Sequence, residues 1–264
     1  MSFDNKVIWI TGASSGIGKA LVTEFAQRKA RLLISGRRKD ALEALKVHCE
    51  AHHVECKLLV FDLSEPREVS RAAKEWKSLY PHIDVLINNG GVSQRSLTVN
   101  TTLDVDRRVM EINFFSAITL TKAVLPGMIE RKSGQLVAIS SVVGKFGFSL
   151  RSAYSASKHA LHGFFESLAI ENEKHNVAVT MVCPGRVKTN VSLNALTHDG
   201  SAHGKMDEGQ EKGITAEQCA ESIIKAMESR KKEVYIGKNE VIMIYLKRFI
   251  PSLFYKIAGR VSAT

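Results

Sequence analysis

The sequence predicts an α/β fold: a single domain on a doubly wound parallel sheet of about seven strands, with helices on both faces. Three observations lead there. Short β-branched runs recur at 7–10, 32–35, 58–61, 85–87, 136–139, 177–182 and 234–236. Longer stretches with helical spacing and charged outer faces, such as 19–29, 39–52 and 68–79, lie between them. Continuous apolar strands alternating with helices are the pattern of parallel strands buried on both sides. A glycine-rich turn, Thr11-Gly-Ala-Ser-Ser-Gly-Ile-Gly18, joins the first run to the first helical stretch. No internal repeat or low-complexity linker divides the chain, so one domain over residues 1–264 is expected.

The bulk numbers agree with this. A chain of 264 residues, 44% hydrophobic and 24% charged, can bury one substantial core. Cys49, Cys56, Cys183 and Cys219 show no C-x-x-C spacing and mostly sit in or beside apolar runs, as buried reduced thiols do, which points to a cytoplasmic setting. The start of the chain enters the first strand with no basic segment or long apolar run before it, so no secretory signal is expected. Nor does any segment reach the roughly 18 consecutive apolar residues that mark a spanning helix. The net charge of +10 raises anionic partners. Without zinc-finger spacing, an aromatic RNA-binding signature or a long basic tract, nucleic acid is not among those expected.

The first strand, turn and helix form a strand-turn-helix unit suited to a dinucleotide. Glycines at 12, 16 and 18 allow a tight turn, close backbone approach to a pyrophosphate, and close packing of helix on strand. Gly12, Ser14, Ser15, Gly16, Ile17 and Gly18 are therefore the expected phosphate cradle, completed by free N–H groups at the helix start. The second strand ends Ser35-Gly-Arg-Arg38, where an NAD-preferring domain places a carboxylate for the ribose hydroxyl. Here Arg37 and Arg38 suit a 2′-phosphate instead, so NADP(H) is the expected cofactor.

Further along, Asp104 and Asp106 fit the start of a long helix better than a catalytic carboxylate pair. Tyr154 and Lys158, four residues apart, share a face if their stretch is helical, which couples an acid to a charge. Residues 190–213 have little apolar periodicity and read as a mobile substrate loop or lid. Thr215-Ala-Glu-Gln218 reads as a capping box opening a helix to about residue 230. Residues 241–260, within a C-terminal extension of about 240–264, are apolar and basic together and broken by Pro251. Such a segment packs on the body, on a neighbouring subunit, or on a membrane surface. His48, His52 and His53 lack partners at metal-ligand spacing, and no metal is expected.

The turn at 11–18, Asn88-Asn-Gly-Gly91, Asn113, Ser140-Ser141, Tyr154 with Lys158, and Pro184-Gly-Arg-Val-Lys-Thr189 occur in this order. Together they resemble the short-chain dehydrogenase/reductase family over residues 5–237, and the resemblance implies a Rossmann-type domain. The terminal extension is similar to that of its steroid- and lipid-handling members, such as the 11β-hydroxysteroid dehydrogenase and member-7-like groups. The resemblance implies Tyr154 as general acid/base, with Lys158 lowering its pKa and holding the nicotinamide ribose. It implies Ser141 on the substrate oxygen beside Tyr154, and Asn113 fixing a water that links Lys158 to solvent. It places Asp62 and Leu63 at the adenine, Asn89 and Gly91 along the cofactor, and Val187 and Thr189 at the carboxamide. Gly90 departs from the alanine usual in that motif, a change of about 1 kcal/mol or less. Trp9, larger than the aliphatic residue usual there, is assigned to the core.

The implied activity is reversible hydride transfer between an alcohol and a ketone or aldehyde, on a bulky apolar substrate, by a homodimer or homotetramer. Two alternatives stand beside it: an NADP(H)-binding regulatory protein without useful turnover, and a peripheral membrane scaffold using the terminal segment.

Overall fold

The computed structural model describes residues 2–260. Its strands are β1 (Val7–Ile10), β2 (Arg31–Gly36), β3 (Cys56–Val60), β4 (Val85–Asn88), β5 (Gly134–Ile139), β6 (Val177–Pro184) and β7 (Glu233–Ile236). They form one sheet in the order β3-β2-β1-β4-β5-β6-β7, with every neighbouring pair parallel. Alternate residues of one strand serve different cores. In β1, Ile8 and Ile10 face the cluster that holds Leu21, Phe25, Ile223 and Ile224, while Val7 and Trp9 face the cluster that holds Trp76, Leu120 and Phe165. Burial on both sides is why these strands are continuous apolar runs. Trp9 is wholly buried, and its indole N–H donates to Ser35 Oγ at 2.9 Å, which satisfies the one polar atom it takes into the core.

The helices are α1 (Gly16–Gln27), α2 (Lys39–Ala51), α3 (Pro66–Leu79), α4 (Leu103–Met110), α5 (Ser116–Glu130), α6 (Ser152–Asn172), α7 (Glu208–Glu211), α8 (Ala216–Glu228), α9 (Ile242–Phe249) and α10 (Pro251–Ala258). The capping box at Thr215 is present with both its hydrogen bonds. Asp104 and Asp106 lie in the first turn of α4, where carboxylates suit the helix dipole. A π turn at Glu111–Phe115 joins α4 to α5, so Leu103–Glu130 runs as one helix. By length and composition that helix could cross a membrane, with a mean hydropathy of 1.4. Its inner face nevertheless belongs to the core through Leu120, Val124 and Met128.

Residues 190–213 depart from the expected mobile lid. Backbone bridges pair Leu196 with Gln94 and with Ala202, and Ser192, Ala195, Leu196 and Asp207 are buried. The segment lacks helical or strand periodicity because it is held by scattered long-range contacts rather than by its own face. In the terminal extension, Pro251 opens α10 at its first position, where a missing N–H costs nothing. Phe254 is 1% exposed and packs on Phe146 with ring centroids 5.2 Å apart. Residues 261–264 of that extension lie outside the described residues.

Strand order reverses between β1 and β4, leaving a crevice beyond their carboxyl ends. Thr11 closes the gap between the two loops: its Oγ1 accepts from the N–H of Asn89 and of Gly90, each at 3.1 Å. Asn89 Nδ2 donates back to the carbonyls of Thr11 at 2.9 Å and Gly12 at 3.2 Å.

Candidate active site

A cavity of about 1000 Å³ runs across this crevice. At one end, Gly12 and Gly16 take φ values of +62° and +54°, in the left-handed region that glycine tolerates. A Cβ on Gly12 would lie 2.6 Å from Gly90 Cα, so the turn after β1 needs glycine for contact as well as for conformation. Gly12, Ser14, Ser15, Gly16 and Ile17 all line the cavity. Gly18 does not, and a Cβ there would meet the Gly12 carbonyl at 2.2 Å. It packs the turn rather than facing a ligand. Ser15, at the N-cap of α1, makes no side-chain cap, which suits a helix start meant to receive an anion.

Arg37, Arg38, Asp62, Leu63, Asn89, Gly91, Val187 and Thr189 line the same cavity. Arg38 Nη2 donates to the Ser14 carbonyl at 2.7 Å, and Arg37 Nη1 lies 3.7 Å from Asp62 Oδ2. Asp62 therefore faces Arg37 as well as the cavity. Gly90 is explained by Leu63: a Cβ at 90 would lie 2.2 Å from Leu63 Cδ1, so the leucine fills the space that an alanine methyl would need.

At the other end, α6 carries Tyr154 and, one turn on, Lys158. The Lys158 ammonium is buried, donates to the Ile139 carbonyl at 2.7 Å, and lies 5.7 Å from the centre of the Tyr154 ring. Ser141 Oγ donates to the Pro184 carbonyl at 3.3 Å and accepts from Val143 N–H at 3.4 Å. Burial pushes the Tyr154 phenol above its ordinary pKa, while a hydrogen bond with Ser141 and the charges of Arg95 and Arg151 pull it back. Burial also lowers Lys158, to about 8. The cations that act on the phenol here are thus the two arginines, whereas the family resemblance assigns that role to Lys158.

Asn113 sits in the π turn, a distortion often found at functional sites, and is outside the cavity wall. Its side chain works as a strut. Oδ1 accepts from Val92 N–H at 2.8 Å, and Nδ2 donates to the Val92 carbonyl and to Ser157 Oγ, both at 2.9 Å.

Four residues without a sequence signal complete the site. Arg95 and Arg151 converge on Asp207 from two different elements, with Arg95 Nε 3.0 Å and Arg151 Nη2 3.0 Å from Asp207 Oδ2. Side-chain exposures of 3%, 12% and 6% for Arg95, Arg151 and Asp207 make this a buried ion cluster, and all three line the cavity. Burial, with Arg95 nearby, lowers Arg151 to about 10. Gln94, 0% exposed, directs its Oε1 at the first turn of α6. No sequence motif joins these residues; Arg95 and Asp207 meet only because the loop after β6 folds back over the loop after β4.

One turn past Lys158, His162 Nε2 and Cys183 Sγ lie 3.6 Å apart, and Cys183 Sγ is 3.7 Å from Glu233. These ligand-type atoms fall within 4.8 Å of one another, but Lys145 Nζ already supplies a cation 2.6 Å from Glu233.

A glycine cradle for a dinucleotide, running into a half-buried tyrosine flanked by a buried serine and lysine, defines a dehydrogenase of the doubly wound class. The sequence profile of the short chain dehydrogenase family matches residues 6–199, and the chain belongs to that family. It is 43% identical over 261 residues to dehydrogenase/reductase SDR family member 7B of Bos taurus, covering 96% of this chain and 80% of that one, which puts it in the member-7-like group. The fold matches a short-chain dehydrogenase from Sphingobium yanoikuyae in complex with NADPH, with a TM-score of 0.79, 23% identity, and 98% and 97% of the two chains covered. It equally matches one from Burkholderia phymatum in complex with NAD, with a TM-score of 0.84, 21% identity and 96% of each chain covered.

Replacing Asp207 with alanine would leave two guanidinium groups buried without their shared carboxylate. Urea unfolding should show a loss of about 3–5 kcal/mol, whereas Asp104→Ala, 92% exposed at its side chain, should leave stability within about 0.5 kcal/mol.

Proposed function

We propose that the protein is an NADP(H)-dependent oxidoreductase that interconverts a bulky apolar ketone or aldehyde and its alcohol. The observation that carries this reading is one continuous cavity with Arg37 and Arg38 at one end and Ser141, Tyr154 and Lys158 at the other. Cavity-lining glycines leave room for the pyrophosphate at the start of α1, and the two arginines supply forked donors for a 2′-phosphate. Arg37 would exchange its 3.7 Å contact with Asp62 for the phosphate. Asp62 and Leu63 would flank the adenine, Asn89 and Gly91 the ribose side, and Val187 and Thr189 the carboxamide.

The bound nicotinamide supplies or accepts the hydride. The protein's part is placement and proton transfer. Ser141 holds the substrate oxygen beside Tyr154, which gives its proton in the reductive direction, and burial keeps that proton in place until substrate arrives. Lys158, fixed to the Ile139 carbonyl, keeps further donors for the ribose. Asn113, braced by Val92 and Ser157, would hold the backbone that orders a relay water toward Lys158. Phe146, Phe148, Val143, Leu196 and Met243 wall the substrate end, which favours a steroid-, retinoid- or lipid-like carbonyl over a sugar. Residues 190–213 form the substrate loop of the domain.

A membrane contact fits the same site. In α9 and α10, Ile242, Tyr245, Phe249, Leu253 and Tyr255 are exposed beside Lys247, Arg248 and Lys256, an apolar face with a basic margin suited to an anionic lipid surface. Met243 of α9 also lines the cavity, which supports a membrane surface beside the substrate entrance. Four buried free thiols suit a reducing compartment on that membrane's cytoplasmic side. Exposed Phe115 and Ile170, on the helical segments that carry Asn113 and Tyr154, suit a homodimer or homotetramer contact.

Tyr154→Phe should abolish NADPH-dependent turnover across a panel of carbonyl compounds while leaving NADPH binding intact; near-normal turnover would exclude Tyr154 as the acid. A wild-type protein that binds NADPH and reduces nothing in the panel would favour the regulatory alternative. Arg37→Asp should weaken NADPH by at least tenfold, about 1.4 kcal/mol, and leave NADH little changed; equal NADPH affinity in both proteins would remove the 2′-phosphate assignment. In cosedimentation with vesicles containing anionic lipid, Phe249→Glu should lose binding that the wild type shows.

A further inference from the structure

The helix that carries the catalytic tyrosine begins without a cap of its own. Arg151, its N-cap residue, makes no side-chain cap bond, yet the first-turn N–H groups of a helix have no partner within it. Two of them are met from elsewhere. Gln94 Oε1 accepts from Ala153 N–H at 2.8 Å and from Tyr154 N–H at 3.4 Å. The other end of the same amide fixes its orientation: Nε2 donates to Thr101 Oγ1 at 3.0 Å, Ser96 Oγ at 3.1 Å and Ser152 Oγ at 3.4 Å. Hydroxyl partners on one side and N–H partners on the other leave a single sensible assignment of oxygen and nitrogen.

We infer that Gln94 is a positioning residue for Tyr154, capping the catalytic helix from the loop that continues out of the cofactor-lining segment at Asn89 and Gly91. This rests on the reading of Tyr154 as the proton donor. Of the two backbone N–H groups that Gln94 receives, the closer belongs to Ala153 and the other, at 3.4 Å, to Tyr154 itself, so a shift of this amide moves the turn that carries the phenol. Arg95, the next residue, donates to the Gln94 carbonyl at 2.6 Å and to Ser93 Oγ at 2.7 Å, which holds the Gln94 backbone while its side chain holds the helix. The loop that lines the cofactor and the helix that carries the acid are thereby kept in one register. Gln94 lies outside the cavity wall and meets neither substrate nor cofactor. Its effect is on the placement of a neighbour.

Two variants separate this role from general packing. Gln94→Leu keeps the bulk and removes the acceptor; Gln94→Glu keeps an acceptor for both N–H groups, at a helix start that favours negative charge. With NADPH and the best carbonyl substrate found by screening, Gln94→Leu should lose roughly 10- to 100-fold in kcat. Its NADPH affinity should stay within about threefold, and Gln94→Glu should recover kcat to within about threefold of wild type. Hydrogen exchange, which needs no substrate, should show the Ala153 and Tyr154 amides losing protection in Gln94→Leu and regaining it in Gln94→Glu. Should Gln94→Leu not fold, Gln94→Asn, shorter by one methylene, should show the same loss of protection and of kcat. Unchanged protection in the variants lacking the acceptor, or equal loss of kcat in Gln94→Glu and Gln94→Leu, overturns the inference. If wild type reduces no carbonyl while protection follows the acceptor, the capping role stands and the functional reading fails.

Discussion

The Thr11 hydroxyl holds together the place where the sheet changes direction. The strand order winds outward from β1 to β3 on one side and from β4 to β7 on the other, so the loops after β1 and β4 would diverge and leave backbone N–H groups facing a crevice. One oxygen accepting from Asn89 and Gly90 closes that divergence, and the Asn89 amide answers from the other side. Everything that makes the crevice a site then follows. The turn can approach so closely only because Gly12, Gly18 and Gly90 have no side chains in the way. The loop that leaves Gly91 is aimed at Val92, Gln94 and Arg95, which meet Asn113, α6 and Asp207 in turn.

At the far end of the cavity, burial acts on both Tyr154 and Lys158. Burial holds the Tyr154 proton on and takes Lys158 down to about 8, so both groups rest nearer their neutral forms than free side chains do. Partly buried groups of this kind respond to fixed charge more strongly than fully solvated ones. Arg95 and Arg151 are fixed charges of that kind, tied to Asp207 on the loop after β6, so the ion cluster that anchors that loop also acts on the phenol.

Local pattern made much of this legible. Strands buried on two faces have to be apolar throughout, so all seven could be read, and Trp9 could be placed in the core. The phosphate turn, the capping box at Thr215 and the break at Pro251 are short-range rules in which neighbours in sequence are neighbours in space. What escaped has the opposite character. Gln94 caps a helix that begins at Ser152, and Asp207 joins Arg95 from 112 residues along the chain, without periodicity or spacing to mark either. Residues 190–213 read as loose for the same reason: their order comes from partners elsewhere. The motif puts Gly18 in the expected cradle, but whether it faces a ligand or makes room for the Gly12 carbonyl depends on distances that a motif does not carry.

The contact between Gly90 and Leu63 has a meaning for how such a chain can change. A methyl at 90 and a leucine reaching to its present place at 63 cannot coexist, since the two carbons would stand 2.2 Å apart. Each position therefore sets which substitutions the other tolerates, and their effects will not add. Because Leu63 Cδ1 is the far end of a flexible side chain, a methyl at 90 would be admitted by that leucine turning aside, so an exchange at 90 would be felt as a new placement of the side chain at 63.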